Sequence, residues 1–317
     1  SREGGGGGRT RVLRHGAVSG ECKPNEETVE TMAHWMIGRA LPQYEHASHE
    51  TGDIRLQINN LSMQTDDPFG VDLSEVKLSV RAGEILGIAG VSGNGQAELL
   101  AALSGEKRAA RADMVQIMGQ SAGHMDAAQR RNLGLGLCFV PEERLGKGAV
   151  PAMSLSENAL LTAYQSPKFG MLRRGLIQRK KTRELADRCI QEFQVKCQGN
   201  QSTASSLSGG NLQKFIMGRE ILLAPKLMIV AQPTWGVDVG ASAFLRQRLL
   251  DLAAEGVAIL LISEELEEIF QIADRIAVIA HGRVSPTCPT EDTTPEQIGL
   301  WMSGLFEHHP TQNTASA

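Results

Sequence analysis

The feature that most restricts the fold of this chain is a short apolar run that ends in a glycine-rich loop. Residues 85–89 read ILGIA, and residues 90–97 read GVSGNGQA. The apolar run predicts a buried strand, and the three glycines permit tight backbone turns before a helix begins near Gln96. A strand, a glycine loop and a helix start in this order are typical of sites that bind an anion such as phosphate.

The loop departs from the full phosphate-loop pattern at its last two positions. In G-x-x-x-x-G-K-[ST], the lysine reaches the outer phosphates and the hydroxyl binds Mg²⁺. Here Gln96 and Ala97 stand where the lysine and the hydroxyl residue belong. A glutamine can still donate a neutral hydrogen bond, whereas an alanine offers a metal ion no ligand. The predicted nucleotide-binding loop comprises Gly90, Val91, Ser92, Gly93, Asn94, Gly95, Gln96 and Ala97.

Three further segments indicate that the loop belongs to a larger pattern. Residues 207–213 read LSGGNLQ ahead of a helix-forming stretch, which places a hydroxyl and two glycines at a second helix start. Residues 227–232 read LMIVAQ and residues 258–264 read AILLISE, each an apolar run followed by a polar residue. Strands that are apolar on both faces are typical of a parallel sheet covered by helices. The sequence therefore predicts an α/β fold with a mostly parallel sheet.

In this order the motifs resemble those of the ATP-binding cassette (ABC) ATPases, over about residues 53–306. GVSGNGQA is similar to the Walker A loop, LSGGN to the ABC signature, LMIVAQ to the Walker B strand, and residues 236–238 to the D-loop. The resemblance implies a P-loop NTPase (RecA-like) core, an N-terminal antiparallel β part, and an inserted α-helical subdomain at about residues 150–215. More narrowly, the chain resembles the second cassette of twin-cassette importers for simple sugars and nucleosides, and VAQPT with SEEL favours the nucleoside branch.

Positions at which the family holds catalytic groups differ in this sequence. Ala231 stands at the Walker B aspartate, Gln232 at the general-base glutamate, Glu264 at the switch histidine and Glu142 at the Q-loop glutamine. An amide does not accept a proton at neutral pH, and carboxylates repel phosphates. Since phosphoryl transfer depends on these electrostatics, we expect this cassette to hydrolyse ATP poorly by itself. ATP is the expected cofactor, and Mg²⁺ at the cassette's own site stays an open question.

The resemblance also implies a role for the part of the pattern that is intact. In this family two cassettes pair head to tail, so that each ATP lies between the phosphate loop of one cassette and the signature of the other. The residues expected to act in trans are Leu207, Ser208, Gly209, Gly210 and Asn211, with Asp238 in the D-loop. The implied function is an importer subunit on the cytoplasmic face of the membrane, coupled to a transmembrane permease and indirectly to a periplasmic or lipoprotein binding protein.

An internal repeat predicts that a similar cassette precedes this one. Residues 15–38 align without a gap on residues 281–304 and share a His-Gly pair near the start and a Trp-Met pair near the end. We therefore interpret residues 9–40 as the tail of a preceding cassette, covalently joined upstream. The remaining divisions are a glycine-rich tether (1–8), a polar linker (41–52) and a disordered tail (307–317).

The stretch from residue 150 to residue 206 interrupts the strand pattern. Ser154 marks a helix start, and MLRRGLIQRKKTRELADRCIQEF (171–193) predicts a basic, then amphipathic, helix. Its cationic cluster comprises Arg173, Arg174, Arg179, Lys180, Lys181 and Arg183. A solvated helix face is the preferred interpretation, with lipid headgroups or a membrane partner as the alternative.

Composition excludes several classes of function. The 32 basic and 36 acidic residues give a net charge of −4, which argues against a nucleic-acid partner. Five cysteines without a CxxC pair are typical of reduced thiols, and the histidine spacing predicts no dedicated metal site. No apolar run approaches the roughly 18 residues that a membrane-spanning helix needs. The aromatic residue that would stack on adenine is unassigned, with Met63 and Phe69 as imperfect candidates.

Two other functions stay open at the level of sequence. The first is a soluble ABC protein of translation or DNA repair, although the charged linkers or long heptad insertions usual in such proteins are missing between residues 100 and 206. The second is a pseudo-ATPase scaffold that binds no nucleotide. Co-purification with a permease, or with ribosomes or DNA, separates the first from the importer, and calorimetry with ATP separates the second.

Overall fold

A mostly parallel sheet with helices on both faces forms the centre of the protein. The computed structural model describes residues 10–14, 17–22, 51–132, 136–164, 166 and 168–306. The strands are β1 Thr10–Arg14, β2 Ala17–Cys22, β3 Ile54–Met63, β4 Leu73–Arg81, β5 Ile85–Ala89, β6 Val115–Ile117, β7 Gln120–Ser121, β8 Leu137–Val140, β9 Leu172–Arg173, β10 Leu176–Ile177, β11 Leu227–Ala231, β12 Ala258–Ser263, β13 Arg275–Ala280, β14 Arg283–Val284 and β15 Cys288–Pro289. The helices are α1 Gln96–Ser104, α2 Ala127–Asn132, α3 Leu155–Ala163, α4 Arg179–Glu192, α5 Gly209–Leu222, α6 Val239–Ala254, α7 Leu266–Ile272 and α8 Pro295–Met302. Single 3₁₀ turns lie at Ala112–Met114, Ala204–Ser206 and Thr290–Asp292.

The central sheet has the strand order β14-β13-β5-β12-β11-β8, with β15 also paired to β13. The five strands from β13 to β8 run parallel, and β14 and β15 run antiparallel to β13. Every residue of β5, β11 and β12 is buried, which explains why their sequences are continuous apolar runs. Because parallel strands end at one edge of the sheet, the residues that follow β5, β8, β11 and β12 meet there.

A second, antiparallel sheet has the order β4-β3-β6-β7 and packs on one face of the central sheet. The hydrophobic core between them includes Leu56, Val76 and Leu99, and a second core on the opposite face includes Leu245 and Ile276. The predicted α/β fold, with its mostly parallel sheet and N-terminal antiparallel part, is therefore confirmed. The division of the chain into domains stays a prediction.

The inserted helices have a hydrophobic core of their own, built from α3, α4 and α5 around Phe215. The helix start predicted at Ser154 is confirmed: its hydroxyl accepts from Glu157 N while the Glu157 carboxylate accepts from Ser154 N, which forms a capping box. The continuous helix predicted over residues 171–193 is wrong at its start. Residues 172–177 form a β-hairpin, because Arg174 and Gly175 adopt φ values of 50° and 77°, which suit a two-residue hairpin turn and not a helix.

A hairpin followed by a short helix forms the segment that closes the domain. β13 and β14 make a hairpin, and Thr294 then caps α8, whose Trp301 is fully buried. In the first repeat, β1 and β2 also form an antiparallel hairpin, and its pairs Arg14↔Ala17 and Leu13↔Val18 correspond at a constant offset to Ala280↔Arg283 and Ile279↔Val284. The rest of the first repeat, the tether, most of the linker (41–50) and the tail lie outside the described residues.

Candidate functional site

The predicted phosphate loop is closed by hydrogen bonds within itself. It links β5 to α1, which begins after Gly95 in the left-handed conformation with φ 112°. The Gln96 side chain is only 8% exposed and folds back into the loop. Its Oε1 accepts a hydrogen bond from Asn94 N at 2.9 Å, and its Nε2 donates to Val91 O at 2.8 Å. One inward N–H of the loop thus already has an acceptor.

A turn at the other end of the sequence fixes the same loop from outside. The side chain of Asn94 donates to Val91 O and accepts from His281 N, each at 2.9 Å. The carbonyl of Asn94 accepts from Gly282 N, also at 2.9 Å. His281 and Gly282 form the turn between β13 and β14, so the conformation of the loop depends on a segment 187 residues further along the chain.

The residues around the loop do not fit a Mg²⁺ ion. The positions that supply its oxygen ligands in the full pattern are Ala97 and Ala231, whose methyl groups cannot coordinate a metal. Gln232 is buried with φ +48°, and its Oε1 accepts from Glu264 N at 3.2 Å. Its amide oxygen therefore serves the backbone of the switch segment. Among the described residues, no group of three His, Cys, Asp or Glu side chains could hold a metal ion.

The two carboxylates predicted to face the phosphates lie at the same edge of the sheet, and the charge of one acts on the other. Glu142 follows β8 and Glu264 follows β12, and both side chains are exposed at the edge of the sheet. Partial burial raises the pKa of Glu142, and the negative charge of Glu264 raises it further, while Lys147 opposes the rise. The edge that would receive the outer phosphates in this cassette is therefore negatively charged.

A buried polar network joins the switch segment to the segment that leads into the D-loop. Glu268 on α7 is fully buried, and its two oxygens accept hydrogen bonds of 2.8 Å from the hydroxyls of Thr234 and Ser263. Arg246 Nε lies 3.5 Å from Glu268 Oε1. Burial raises the pKa of Glu268, and the two hydroxyls and Arg246 counteract that rise. No motif in the sequence indicates this network, although Ser263 lies in the AILLISE segment.

The signature segment differs from the phosphate loop because its donors remain available. Ser208 precedes α5, is exposed and makes no capping hydrogen bond to its own helix. Its oxygen accepts from Asn211 Nδ2 at 2.8 Å, and in the described part of the chain no acceptor takes its hydroxyl proton. The first N–H groups of a helix have no acceptor within that helix. Ser208 and the turn that follows it therefore present a hydroxyl and backbone donors to the outside.

The D-loop lies beside the signature. Asp238 caps α6 by accepting from Ala241 N at 3.0 Å. An added Cβ on Gly210 would lie 3.6 Å from Asp238 Oδ2 and 3.5 Å from the side chain of Val237. The structure thus brings together the two segments that the sequence predicts to act in trans.

Arg144 connects this surface to the segment after β8, and sequence reasoning missed it. Its guanidinium donates to the carbonyl of Trp235, and an added Cβ on Gly209 would lie 2.9 Å from Arg144 Nη1. Partial burial lowers the pKa of Arg144, and no carboxylate of the described residues lies within 4.0 Å of it. The indole of Trp235 is 59% exposed. A positive charge and an exposed aromatic ring therefore adjoin the signature.

Of the two candidates for stacking on adenine, only Phe69 is accessible. Met63 packs against the core between the two sheets. Phe69 is 94% exposed in the loop between β3 and β4, and that loop is fastened to α1 by a 3.0 Å hydrogen bond from Val71 N to Glu98 Oε1. The adenine-stacking residue itself stays unassigned.

A groove separates the parallel core from the inserted helices. One cavity of about 390 Å³ is lined by residues from both sides, among them Arg131, Asn158 and Arg219. Arg219 on α5 donates to Gly148 O at 2.8 Å and to Asn158 O at 3.2 Å, so the signature helix is hydrogen-bonded to the segment that follows Glu142. A neighbouring cavity of about 420 Å³ includes Glu142 in its lining.

Comparison with known proteins identifies similar chains across most of this sequence. The family model described as "ABC transporter" matches residues 73–235. The nucleoside import ATP-binding protein NupA of Lactococcus lactis is 36% identical over 297 residues, which are 93% of this chain and 58% of NupA. The guanosine import ATP-binding protein NupO of Bacillus subtilis is 35% identical over 93% of this chain and 57% of NupO. The glucose import ATP-binding protein TsgD13 of Haloferax volcanii is 37% identical over 93% of this chain and 53% of TsgD13. The chain thus spans 53–58% of the length of these relatives.

Solved structures share the fold at lower identity. An ATP-binding subunit of an ABC transporter has a TM-score of 0.60 and 23% identity, over 80% of this chain and 95% of that one. The cassette MJ0796, solved as a dimer bound to ADP and Pi, has a TM-score of 0.63 and 19% identity, over 74% of this chain and 98% of that one. No helix among the residues described here is long and apolar enough to cross a bilayer.

Proposed function

Since the chain belongs to the ABC transporter family, we propose that it is the second, hydrolysis-poor ATP-binding cassette of an importer for nucleosides or simple sugars. In this proposal it binds ATP mainly in trans, against a nucleotide anchored by the phosphate loop of a first cassette. Names of similar proteins that refer to nucleoside, guanosine and glucose import support the substrate class.

The observation that carries the proposal is the state of the signature donors. Ser208 neither caps its helix nor gives its proton to an acceptor among the described residues. Exposed backbone N–H groups and a helix N-terminus beside it favour a negatively charged ligand. Arg144 adds a positive charge next to Gly209. These groups suit the outer phosphates of a nucleotide that is held from the opposite side.

The phosphate-loop side supports the other half of the proposal. Gln96 occupies the loop, Ala97 and Ala231 offer no metal ligand, and Glu142 with Glu264 adds negative charge. A nucleotide bound here would lack the groups that stabilise charge during phosphoryl transfer. We infer that this side contributes weak or static binding, and that bond cleavage takes place at the other site of the pair.

The proposed partners are a first cassette upstream and a transmembrane permease. The matching registers of the β1–β2 and β13–β14 hairpins support an upstream copy. The groove between the core and the inserted helices is the proposed contact for the permease, because Arg219 links its walls to the signature helix. Closure of the cassette pair would then move the permease, on the cytoplasmic face of the membrane.

The test is ATP turnover by this chain produced together with the cassette encoded upstream. Ser208→Arg should lower turnover about 100-fold, because loss of preorganised donors at a phosphate costs on the order of 10²–10³ in rate. Ser205→Arg is the matched control, since Ser205 is exposed three residues earlier and its hydroxyl bonds only Thr203. Full turnover by the Ser208 variant would refute the role in trans. Calorimetry with ATP, with and without the upstream cassette, distinguishes a scaffold that binds no nucleotide.

A further inference from the structure

The β9–β10 hairpin exposes three aliphatic side chains to solvent. Leu172, Leu176 and Ile177 are 44%, 71% and 51% exposed, although each is large and apolar. The hairpin is anchored at its base, where Met171 is buried among the inserted helices and accepts through its carbonyl from Gln178 N at 2.8 Å. The three aliphatic side chains therefore project from a hairpin with an ordered base and make no contribution to the core.

Cationic side chains surround these three aliphatic side chains. Residues 168–183 contain seven Lys and Arg side chains and no Asp or Glu. The six that lie between residues 173 and 183 are all exposed: Arg173, Arg174, Arg179, Lys180, Lys181 and Arg183. Among the described residues, the one ion pair within 4.0 Å that these six make joins Lys180 to Glu184 at 3.9 Å, and Arg179 also interacts electrostatically with Glu157.

The stability of the fold does not explain this arrangement. Arg179, Lys180 and Lys181 are the first three residues of α4, and its first turn holds no acidic side chain. Cations at a helix N-terminus oppose the helix dipole, so these three side chains destabilise the helix that carries them. Exposed aliphatic side chains on a two-stranded hairpin gain no burial either. Both features are unfavourable in the isolated chain and favourable against a surface that is negatively charged and apolar beneath.

We propose that the hairpin and the start of α4 dock on an anionic lipid surface. The hairpin enters the boundary between headgroups and acyl chains turn first, with Leu172 and Ile177 on one of its faces and Leu176 on the other. The flanking cations bind the headgroup phosphates. Apolar side chains within a cationic patch are typical of peripheral membrane contacts. A nucleic-acid surface would call for aromatic side chains that stack on bases. The one aromatic residue within 168–183, Phe169, is partly buried against the core of the inserted helices.

The test is sedimentation of the purified chain with vesicles of phosphatidylcholine alone or with 30% phosphatidylglycerol. The chain should partition on the anionic vesicles only, and less in 0.5 M salt. Neutralising three cations (Arg173→Gln, Lys180→Gln, Lys181→Gln) should lower the partition coefficient on the order of 100-fold, because each basic residue near such a surface contributes about a factor of five. The double variant Leu176→Ser, Ile177→Ser should lower it about tenfold.

The matched control neutralises two other exposed arginines, Arg108→Gln with Arg111→Gln. These lie outside the inserted helices, each beside its own carboxylate, Asp126 or Asp113, so the partition coefficient should stay within twofold. Circular dichroism verifies that every variant is folded.

Equal binding to neutral vesicles, or an unchanged partition coefficient in either hairpin variant, would overturn the proposal. Retention by RNA without retention by vesicles would assign the surface to nucleic acid instead. The assay contains no nucleotide or permease, so its outcome is independent of the proposed function.

Discussion

The phosphate-loop surface and the signature surface begin with the same local design and end in opposite states. In each, glycines lie at the N-terminus of a helix, just before α1 or in the first turn of α5, where N–H groups have no acceptor within the helix. At the loop, Gln96 supplies both an acceptor for Asn94 N and a donor for Val91 O. At the signature, no acceptor among the described residues takes the hydroxyl proton of Ser208.

This difference shows that a glycine turn at a helix start is a site only if nothing in the chain already satisfies it. The loop keeps the backbone shape of a phosphate cradle, but one side chain fills it and two nearby carboxylates oppose an anion. At the signature, the Ser208 hydroxyl finds no acceptor in the described part of the chain, and the Arg144 guanidinium lies beside Gly209. The chemistry of a degenerate site is therefore determined by the partners of each donor, and its sequence motif alone does not reveal them.

The buried network at Thr234 is expected to give the largest effect, because it joins the switch segment to the start of the D-loop. Thr234→Val removes the donor to Glu268 Oε1 and leaves that carboxylate with one hydroxyl and Arg246. A buried charged group that loses a partner costs about 2 kcal/mol, within a range of 1–3. Urea unfolding measures this loss. The control Thr162→Val affects a half-exposed hydroxyl with a 3.5 Å contact and should change stability by less than about 0.5 kcal/mol. Equal effects would show that the network does not bear on stability.

Opening the phosphate loop is expected to raise nucleotide affinity about tenfold. In the double variant Gln96→Lys, Ala97→Ser, the lysine cannot accept from Asn94 N, so that N–H and a new positive charge become available to phosphate. Calorimetry with ATP and Mg²⁺ measures the change, which corresponds to about 1.4 kcal/mol. Hydrolysis should not appear, because Ala231 and Gln232 remain.

The variant Gln96→Glu is the control for this experiment. It keeps an acceptor for Asn94 N, adds a negative charge, and should bind no more tightly than the original chain. If it gains affinity as well, occupation of the loop by Gln96 does not limit binding.

Removing Arg144 tests whether the D-loop belongs to the signature surface. Arg144→Ala deletes the donor to the carbonyl of Trp235, and a hydrogen bond of this kind is worth about 1 kcal/mol. Hydrogen exchange at the amide of Val237, which bonds Thr234 O, should accelerate about fivefold. Arg144→Gln retains one N–H donor and should give a smaller acceleration. An unchanged exchange rate would show that Arg144 does not stabilise the D-loop.

The smallest effect is expected at the acidic edge. Because its pKa is raised, Glu142 binds its proton more tightly in the folded chain than in the unfolded chain. Stability should therefore fall as the pH rises from the ordinary carboxyl pKa through the raised value. Glu264→Gln removes the charge that helps to raise the pKa of Glu142. Stability should therefore depend less steeply on pH, and Tm at pH 7 should increase by about 1 °C. Glu143→Gln, on the adjacent exposed side chain, should leave the slope unchanged.

The sequence was most informative where neighbouring residues determine structure. Continuous apolar runs identified β11 and β12, and Ser154 identified a helix start, because burial and capping follow local rules. The helix predicted over residues 171–193 failed at the hairpin, where a basic segment with leucines suits a helix almost as well as a strand. The left-handed conformations of Arg174 and Gly175 decided between them.

The hydrogen bonds and contacts within the candidate site could not be predicted from neighbouring residues in the sequence. The departures at Gln96, Ala97 and Ala231 were visible in the sequence and predicted a site poor in catalytic groups. What they could not indicate was that the Gln96 side chain folds back into the loop, where the distant turn at His281 holds its partner Asn94. Nothing in the sequence assigned a role to Arg144, and its hydrogen bond to the carbonyl of Trp235 forms because the ends of β8 and β11 meet at one edge of the sheet.

Gly282 lies far along the chain from the phosphate loop, yet it helps to fix the conformation of that loop. With φ +73°, it donates to Asn94 O while its own carbonyl accepts from Ser74 N, and an added Cβ would collide with the backbone of Asp72. Any other side chain at this position would push apart the antiparallel sheet and the end of β13, and the fastening of Asn94 would be lost with them. A residue without a functional group thus helps to hold the loop in its conformation, and transplanting residues 90–97 into another protein would leave that support behind.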